Sequence, residues 1–215
     1  MARCDFRCCL VLDPDLCGGE AGMVETARIA VAGGVDCVQL RAPQWKKGRL
    51  ISCGRALMEV LAPLGVPLIV NDHADVCAAI GADGLHVGQE DLPADVARGL
   101  IGPDCLLGLS VSSVEEMLAV DPGLVDYVGV GPVFATPTKA DAAPAMGLEG
   151  LARALAHRCC PAIAIGGIKA PQLAAVAAEG ADGFAVVSAV CGQADPCAAA
   201  AELVRLWGEA RSVAR

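Results

Sequence analysis

The segment Asp126-Tyr-Val-Gly-Val-Gly-Pro-Val-Phe-Ala-Thr-Pro-Thr-Lys139 runs an apolar strand directly into residues that can hold an anion. Val128, Val130 and Val133 supply the strand, and Gly129 and Gly131 leave out side chains where a backbone or a ligand must come close. Thr136, Thr138 and Lys139 then offer hydroxyls and a cation, and Pro137 between the threonines stiffens the loop, so closing on a ligand costs less entropy. A phosphorylated ligand suits this chemistry. Taken alone, the segment can also be read as a strand followed by an ordinary surface turn, and the ligand reading is the stronger of the two.

Other polar residues recur at the ends of apolar runs. Gln39 and Arg41 lie two apart, so a strand sends both to one side, where the guanidinium can fork onto two phosphate oxygens. A surface ion pair for Arg41 and a satisfied buried amide for Gln39 fit the sequence as well. Asn71 and Asp72 close one run, and Asp91 follows the next. Either acid could cap a helix, but two of them beside an arginine, a lysine and an anion loop suit Mg²⁺, which takes few carboxylates together with substrate phosphate oxygens. His86 falls inside a run, with the spacing of a group facing an interior, and Ser110 ends another. Gly166-Gly167 and Val187-Ser188 close the last two runs, where backbone N–H groups can cup a phosphate.

The elements that must position these groups alternate. Strands are expected at Cys8–Leu12, Asp36–Leu40, Pro67–Val70, Gly84–Val87, Cys105–Leu109, Tyr127–Val130, Pro161–Ile165 and Gly183–Val187, with a helical segment after each. The runs are nearly continuous in apolar residues, as expected of strands covered on both faces. Eight such units predict an α/β fold, a single (β/α)₈ TIM barrel spanning 1–215 as one domain. An acid precedes four of the strands, Asp36, Asp83, Asp126 and Asp182, which puts these four at strand starts on the stability face, away from chemistry.

Composition excludes several alternatives. A net charge of −9 repels polyanions, so nucleic acid is not an expected partner. No apolar run reaches the roughly 20 residues of a membrane span, and the N-terminus lacks a secretory signal pattern, so the chain is expected in the cytoplasm, off the membrane. Twelve cysteines scattered through strands and helices read as small buried residues, and Cys4, Cys8, Cys9 and Cys17 lack the Cys-x-x-Cys spacing of a metal site. A homo-oligomer is compatible with the sequence and is not fixed by it.

In order along the chain, Gln39-Leu-Arg41, Asn71-Asp72, Gly84-Leu-His86-Val-Gly88-Gln89-Glu-Asp91, Gly108-Leu-Ser110, Gly129 through Lys139, Ala164-Ile-Gly166-Gly167-Ile168 and Val186-Val-Ser188 resemble thiamine phosphate synthases. The resemblance covers nearly the whole chain. It implies that Asp72 and Asp91 hold Mg²⁺ and that Gln39, Arg41, Asn71, Ser110 and Lys139 contact a pyrimidine diphosphate. Thr136, Thr138, Gly166, Gly167 and Ser188 would contact a thiazole phosphate, with His86 and Val187 also among the substrate-binding residues. Arg41, Ser110 and Lys139 are the implied catalytic residues, in a dissociative displacement of pyrophosphate that needs no covalent nucleophile.

Two positions depart from that family's pattern. Pro43 stands where the family has a lysine, with Lys46 and Lys47 as possible substitutes, and Cys8-Cys9-Leu10 stands where it favours a tyrosine. The related thiazole tautomerases use a histidine after the fifth strand, where this chain reads Ser110-Val-Ser112, so the synthase pattern fits better. A tautomerase-like protein and a non-catalytic phosphate-binding barrel remain the alternatives.

Overall fold

A computed structural model describes residues 5–136 and 144–213. Pro137, Thr138 and Lys139 of the anion loop lie outside the described residues. Eight strands form a closed parallel barrel: β1 (Cys8–Leu12), β2 (Cys37–Leu40), β3 (Leu68–Asn71), β4 (Gly84–Val87), β5 (Leu106–Val111), β6 (Tyr127–Val130), β7 (Ala162–Ile165) and β8 (Gly183–Val186). Each pairs with the next in chain order, and β8 closes on β1 through Cys8 opposite Phe184.

The helices are α1 (Pro14–Cys17), α2 (Glu20–Ala32), α3 (Lys47–Leu61), α4 (Ala74–Ile80), α5 (Ala94–Ile101), α6 (Val114–Leu118), α7 (Gly147–Leu155), α8 (Leu173–Ala178) and α9 (Pro196–Val213). Short α1 was not anticipated from the sequence. Its cause is Asp13, whose carboxylate accepts from the backbone N–H groups of Asp15 and Leu16 at 3.0 and 2.9 Å. Strand β5 runs two residues further than expected, which takes Ser110 into the barrel wall instead of its rim.

Alternation divides each strand between two cores. On β1, Cys8, Leu10 and Leu12 face the helices, while Cys9 and Val11 face the barrel axis. The axial core is small: Phe6, Cys37, Ile69, Tyr127, Ile163 and Ala185 join those two to make a floor. Gly108 leaves this interior open for two rings, since a Cβ there would stand 2.2 Å from Tyr127 Cζ and 2.4 Å from His86 Nδ1.

The four strand-start acids work as clamps on the opposite end of the barrel. Asp36, Asp83, Asp126 and Asp182 accept from the backbone N–H of Cys8, Leu68, Leu107 and Ala162 at 3.0, 2.9, 2.7 and 2.9 Å. Each acid's own N–H donates back to the carbonyl of the same residue, at 3.2, 3.1, 2.8 and 2.9 Å. One reciprocal ring therefore ties each even-numbered strand to the odd-numbered strand before it, four times around the barrel. Guanidinium groups reinforce three rings: Arg7 on Asp36, Arg98 on Asp126 and Arg158 on Asp182.

The described cysteines are free thiols, six of them buried, and Cys8 and Cys9 point to opposite faces of one strand. Among the described residues there is no group of three or more His, Cys, Asp or Glu side chains arranged for a metal. No helix there is long and apolar enough to cross a membrane.

Candidate functional site

A cavity of about 680 Å³ opens at the C-terminal ends of the strands. Its floor and one wall are apolar, built from Cys9, Val11, Ile163, Ile165, Ala185 and Val187. Gln39, Arg41, Asn71, Asp72, His86, Asp91, Ser110, Thr136, Gly166, Gly167 and Ser188 also line it, so the structure gathers all the expected site residues that it describes. Thr138 and Lys139 are not among the described residues.

The β2 pair decides between the readings left open by sequence. Gln39 is 7% exposed, and its side-chain amide makes no hydrogen bond among the described residues. Arg41, half-buried on the same wall, has no carboxylate partner there either. Among the described residues, then, neither a satisfied core amide nor a surface ion pair is formed. An amide and a cation this enclosed, with their polar atoms toward a cavity, are set out for a ligand.

The two carboxylates do not cap helices. His73 occupies the N-cap position of α4, and Pro93 that of α5. Asp72 sits instead in the left-handed region at φ +62°, held by its N–H donating to the His86 carbonyl at 2.8 Å, and its carboxylate accepts from Asn71 Nδ2 at 2.5 Å. A side chain other than glycine held in this conformation marks a position fixed by its surroundings. Asp91 uses one oxygen to accept from Gly88 N at 2.8 Å, folding the loop after β4 so that the carboxylate stays at the rim. Both acids keep acceptor capacity for a hard cation, which fits a Mg²⁺ site completed by ligand oxygens and water.

Inside the barrel, polar groups form a line. Tyr127, 2% exposed, places its hydroxyl 3.0 Å from His86 Nδ1, and His86 Nε2 lies 3.0 Å from Ser110 Oγ at the cavity wall. Gln89 Nε2 donates to the Ser110 carbonyl at 2.6 Å. Sequence reasoning placed Tyr127 in a strand but gave it no role, because nothing in the chain order shows that it meets a residue 41 positions away.

Across the cavity, Gly166 and Gly167 have φ of +100° and +66°. A Cβ at Gly166 would stand 2.6 Å from Pro132 Cα, and one at Gly167 2.8 Å from the Ala135 carbonyl oxygen. Only glycines allow β7's loop to run against the start of the anion loop, where Val133 and Phe134 donate to the Ile165 and Gly166 carbonyls at 2.8 and 3.0 Å. Ser188 begins a single helical turn, closed by Cys191 N donating to the Val187 carbonyl at 2.8 Å.

Pro43 lines the cavity, but neither Lys46 nor Lys47 does, and Lys47 is bound to Asp75 at 2.6 Å. The suggestion that one of them replaces the lysine absent at position 43 is therefore not supported. Lys169 was missed by the sequence reading and lines the cavity in the loop after β7 that carries Gly166 and Gly167.

Comparison with known proteins matches residues 8–190 to the thiamine monophosphate synthase family. A thiamine-phosphate synthase of Laribacter hongkongensis is 52% identical over 204 residues, covering 95% of this chain and 96% of that one. One of Azorhizobium caulinodans is 50% identical over 199 residues, with 93% of each chain covered. Among solved structures, a thiamine phosphate pyrophosphorylase from Pyrococcus furiosus superposes with a TM-score of 0.87 at 33% identity, covering 98% of this chain and 99% of that one.

Proposed function

The chain belongs to the thiamine monophosphate synthase family, and we propose that its cavity joins a pyrimidine-methyl diphosphate to a thiazole phosphate, releasing pyrophosphate. The observation that carries this reading is the Gln39–Arg41 pair, whose enclosed side chains have no partner among the described residues, on the same cavity as two carboxylates and the Gly166-Gly167 loop.

In this reading Arg41 forks onto the diphosphate, Ser110 donates to it, and Asn71 both contacts it and orients Asp72. Asp72 and Asp91 would hold Mg²⁺, which when bound neutralises charge on the leaving pyrophosphate. As the C–O bond to pyrophosphate breaks, the electron pair leaves with the phosphate oxygen and the aminopyrimidine carries the methylene cation; the thiazole nitrogen then donates its lone pair to that carbon. Water would capture the cation just as readily, so the apolar wall of Cys9, Val11, Ile163, Ile165 and Ala185 has a chemical purpose. Thr136, Gly166, Gly167 and Ser188 face the acceptor phosphate and align its ring, with Thr138 assigned alongside them and Lys139 assigned to the pyrophosphate. No group in the cavity is required as a covalent nucleophile.

The test is turnover with both substrates and Mg²⁺, reading thiamine phosphate and released pyrophosphate together. Stoichiometric formation of both is expected. Tight thiazole phosphate binding without product would instead identify a phosphate-binding barrel, for which the uncharged Pro43 at the cavity is the specific argument.

A further inference from the structure

We propose that Tyr127 is a positioning residue which holds His86 as its Nε2–H tautomer, so that Ser110 keeps its hydroxyl proton for an anionic oxygen of the substrate. The proposal rests on reading the cavity as a diphosphate site, and it concerns the direction of a hydrogen-bond chain.

The chain is built into the barrel interior and is well constrained. Tyr127 stacks on Phe6 with ring centroids 4.5 Å apart, which fixes the phenol plane, and its hydroxyl meets His86 Nδ1 at 3.0 Å. The imidazole is 9% exposed, with Nε2 3.0 Å from Ser110 Oγ. Glycines clear its space: a Cβ at Gly108 would stand 2.4 Å from Nδ1, and one at Gly129 3.1 Å from Cε1.

A neutral imidazole has one N–H, so only two directions exist. With the proton on Nδ1, Tyr127 accepts, Nε2 accepts from Ser110, and the serine shows the cavity only lone pairs, which repel a phosphate oxygen. With the proton on Nε2, Tyr127 donates to Nδ1, His86 donates to Ser110 Oγ, and the serine O–H is free to donate onward. Only the second direction ends in a donor at the cavity. A buried phenol proton is also satisfied when it is donated to an imidazole nitrogen. Three groups on β6, β4 and β5 thus pass one polarity from the floor to the mouth, and the tyrosine at the far end sets it.

Nitrogen-15 NMR of imidazole-labelled protein tests this without turnover. The chain has three histidines, so the spectrum of His86→Asn identifies the signal. At pH 7.5 the wild-type His86 should show a protonated Nε2 and a bare Nδ1, with or without inorganic pyrophosphate and Mg²⁺. Tyr127→Phe, which keeps the stacked ring, should give a mixture of tautomers and a kcat about tenfold lower, as loss of one well-placed hydrogen bond predicts, with KM for the thiazole phosphate within twofold. A wild-type Nδ1–H tautomer or an imidazolium overturns the proposal, as does a Tyr127→Phe enzyme whose kcat is unchanged. A protein that shows the Nε2–H tautomer but makes no product with any substrate pair refutes the functional reading instead.

Discussion

Arg41→Lys separates a fork that binds a diphosphate from a cation that is merely nearby. The substitution keeps one positive charge on β2 but turns the two-point guanidinium into a single ammonium. A hydrogen bond to a charged group contributes about 1.5–3 kcal/mol, so losing one arm of the fork should lower kcat/KM for the pyrimidine diphosphate by about 10- to 150-fold at 1.4 kcal/mol per decade. The partly open cavity favours the lower half of that range. Arg41→Ala, losing both arms, should cost about 10²- to 10⁴-fold on the same reckoning. The nearest chain neighbours offer no second fork: Pro43 carries no charge, and Lys47 is engaged with Asp75 at 2.6 Å. The measurement is kcat/KM at saturating thiazole phosphate, with inhibition by inorganic pyrophosphate as an independent reading of binding. If Arg41→Lys stays within twofold of the parent in both, the fork does not touch the leaving group and the assignment fails.

Asp91→Asn still offers Gly88 an oxygen acceptor but removes a carboxylate charge, so the loop should persist while the Mg²⁺ concentration needed for half-maximal rate rises at least tenfold; an unchanged Mg²⁺ dependence removes Asp91 from the metal role. Asp182→Ala strips the clamp from the buried Ala162 N–H and should destabilise by about 1–3 kcal/mol, read as a Tm lower by about 2–12 °C, with turnover per folded molecule unaffected because the clamp lies at the far end of the barrel. Lys139→Ala should be among the most damaging substitutions, and Pro43→Lys should raise kcat/KM in the parent and partly restore it in the Lys139→Ala background; assays of the four proteins in one cycle check both. Burial pushes the Cys53 thiol up to about 12, so its neutral form contributes stability that is complete below the ordinary thiol value near 9 and drains away as pH rises from there towards 12. Melting curves between pH 8 and 11 should show Tm falling, and Cys53→Ala should flatten the fall.

The alternation of elements was readable because the strands are buried on both faces and the helices are not, a difference written into composition run by run. The acids Asp36, Asp83, Asp126 and Asp182 were also assigned correctly to the stability end, from their position just before strands. What the chain order could not show were the partners. Whether Gln39 is satisfied depends on what stands opposite it across the barrel, and sequence spacing contains no information about that. Whether Asp72 caps α4 or stands as a rim carboxylate turns on its backbone conformation, and with residue 72 left-handed the N-cap position falls to His73. Tyr127 went unnoticed for the same reason, because its partner His86 comes from a strand two places away around the barrel and is reached only through the gap at Gly108.

The strand-start acids and the Gln39–Arg41 pair differ in how their side chains are engaged, and that contrast points to the strand ends as the face open to a ligand. At the strand starts each of the four acids is bound by a backbone N–H, and three are also paired with arginine, so charge there is spent on holding neighbouring strands together. At the strand ends Gln39 and Arg41 are nearly as enclosed, yet they make no such bonds among the described residues. An amide and a cation whose side chains find no partner among the described residues, in a half-closed cavity, cost folding free energy, which the clamped end can offset. A ligand with several anionic oxygens removes that cost when it binds, and it does so only at this end. Filling the cavity with inorganic pyrophosphate and Mg²⁺ should therefore raise Tm by more in the parent protein than in Arg41→Ala, whereas a barrel stabilised evenly at both ends would show the same rise in both.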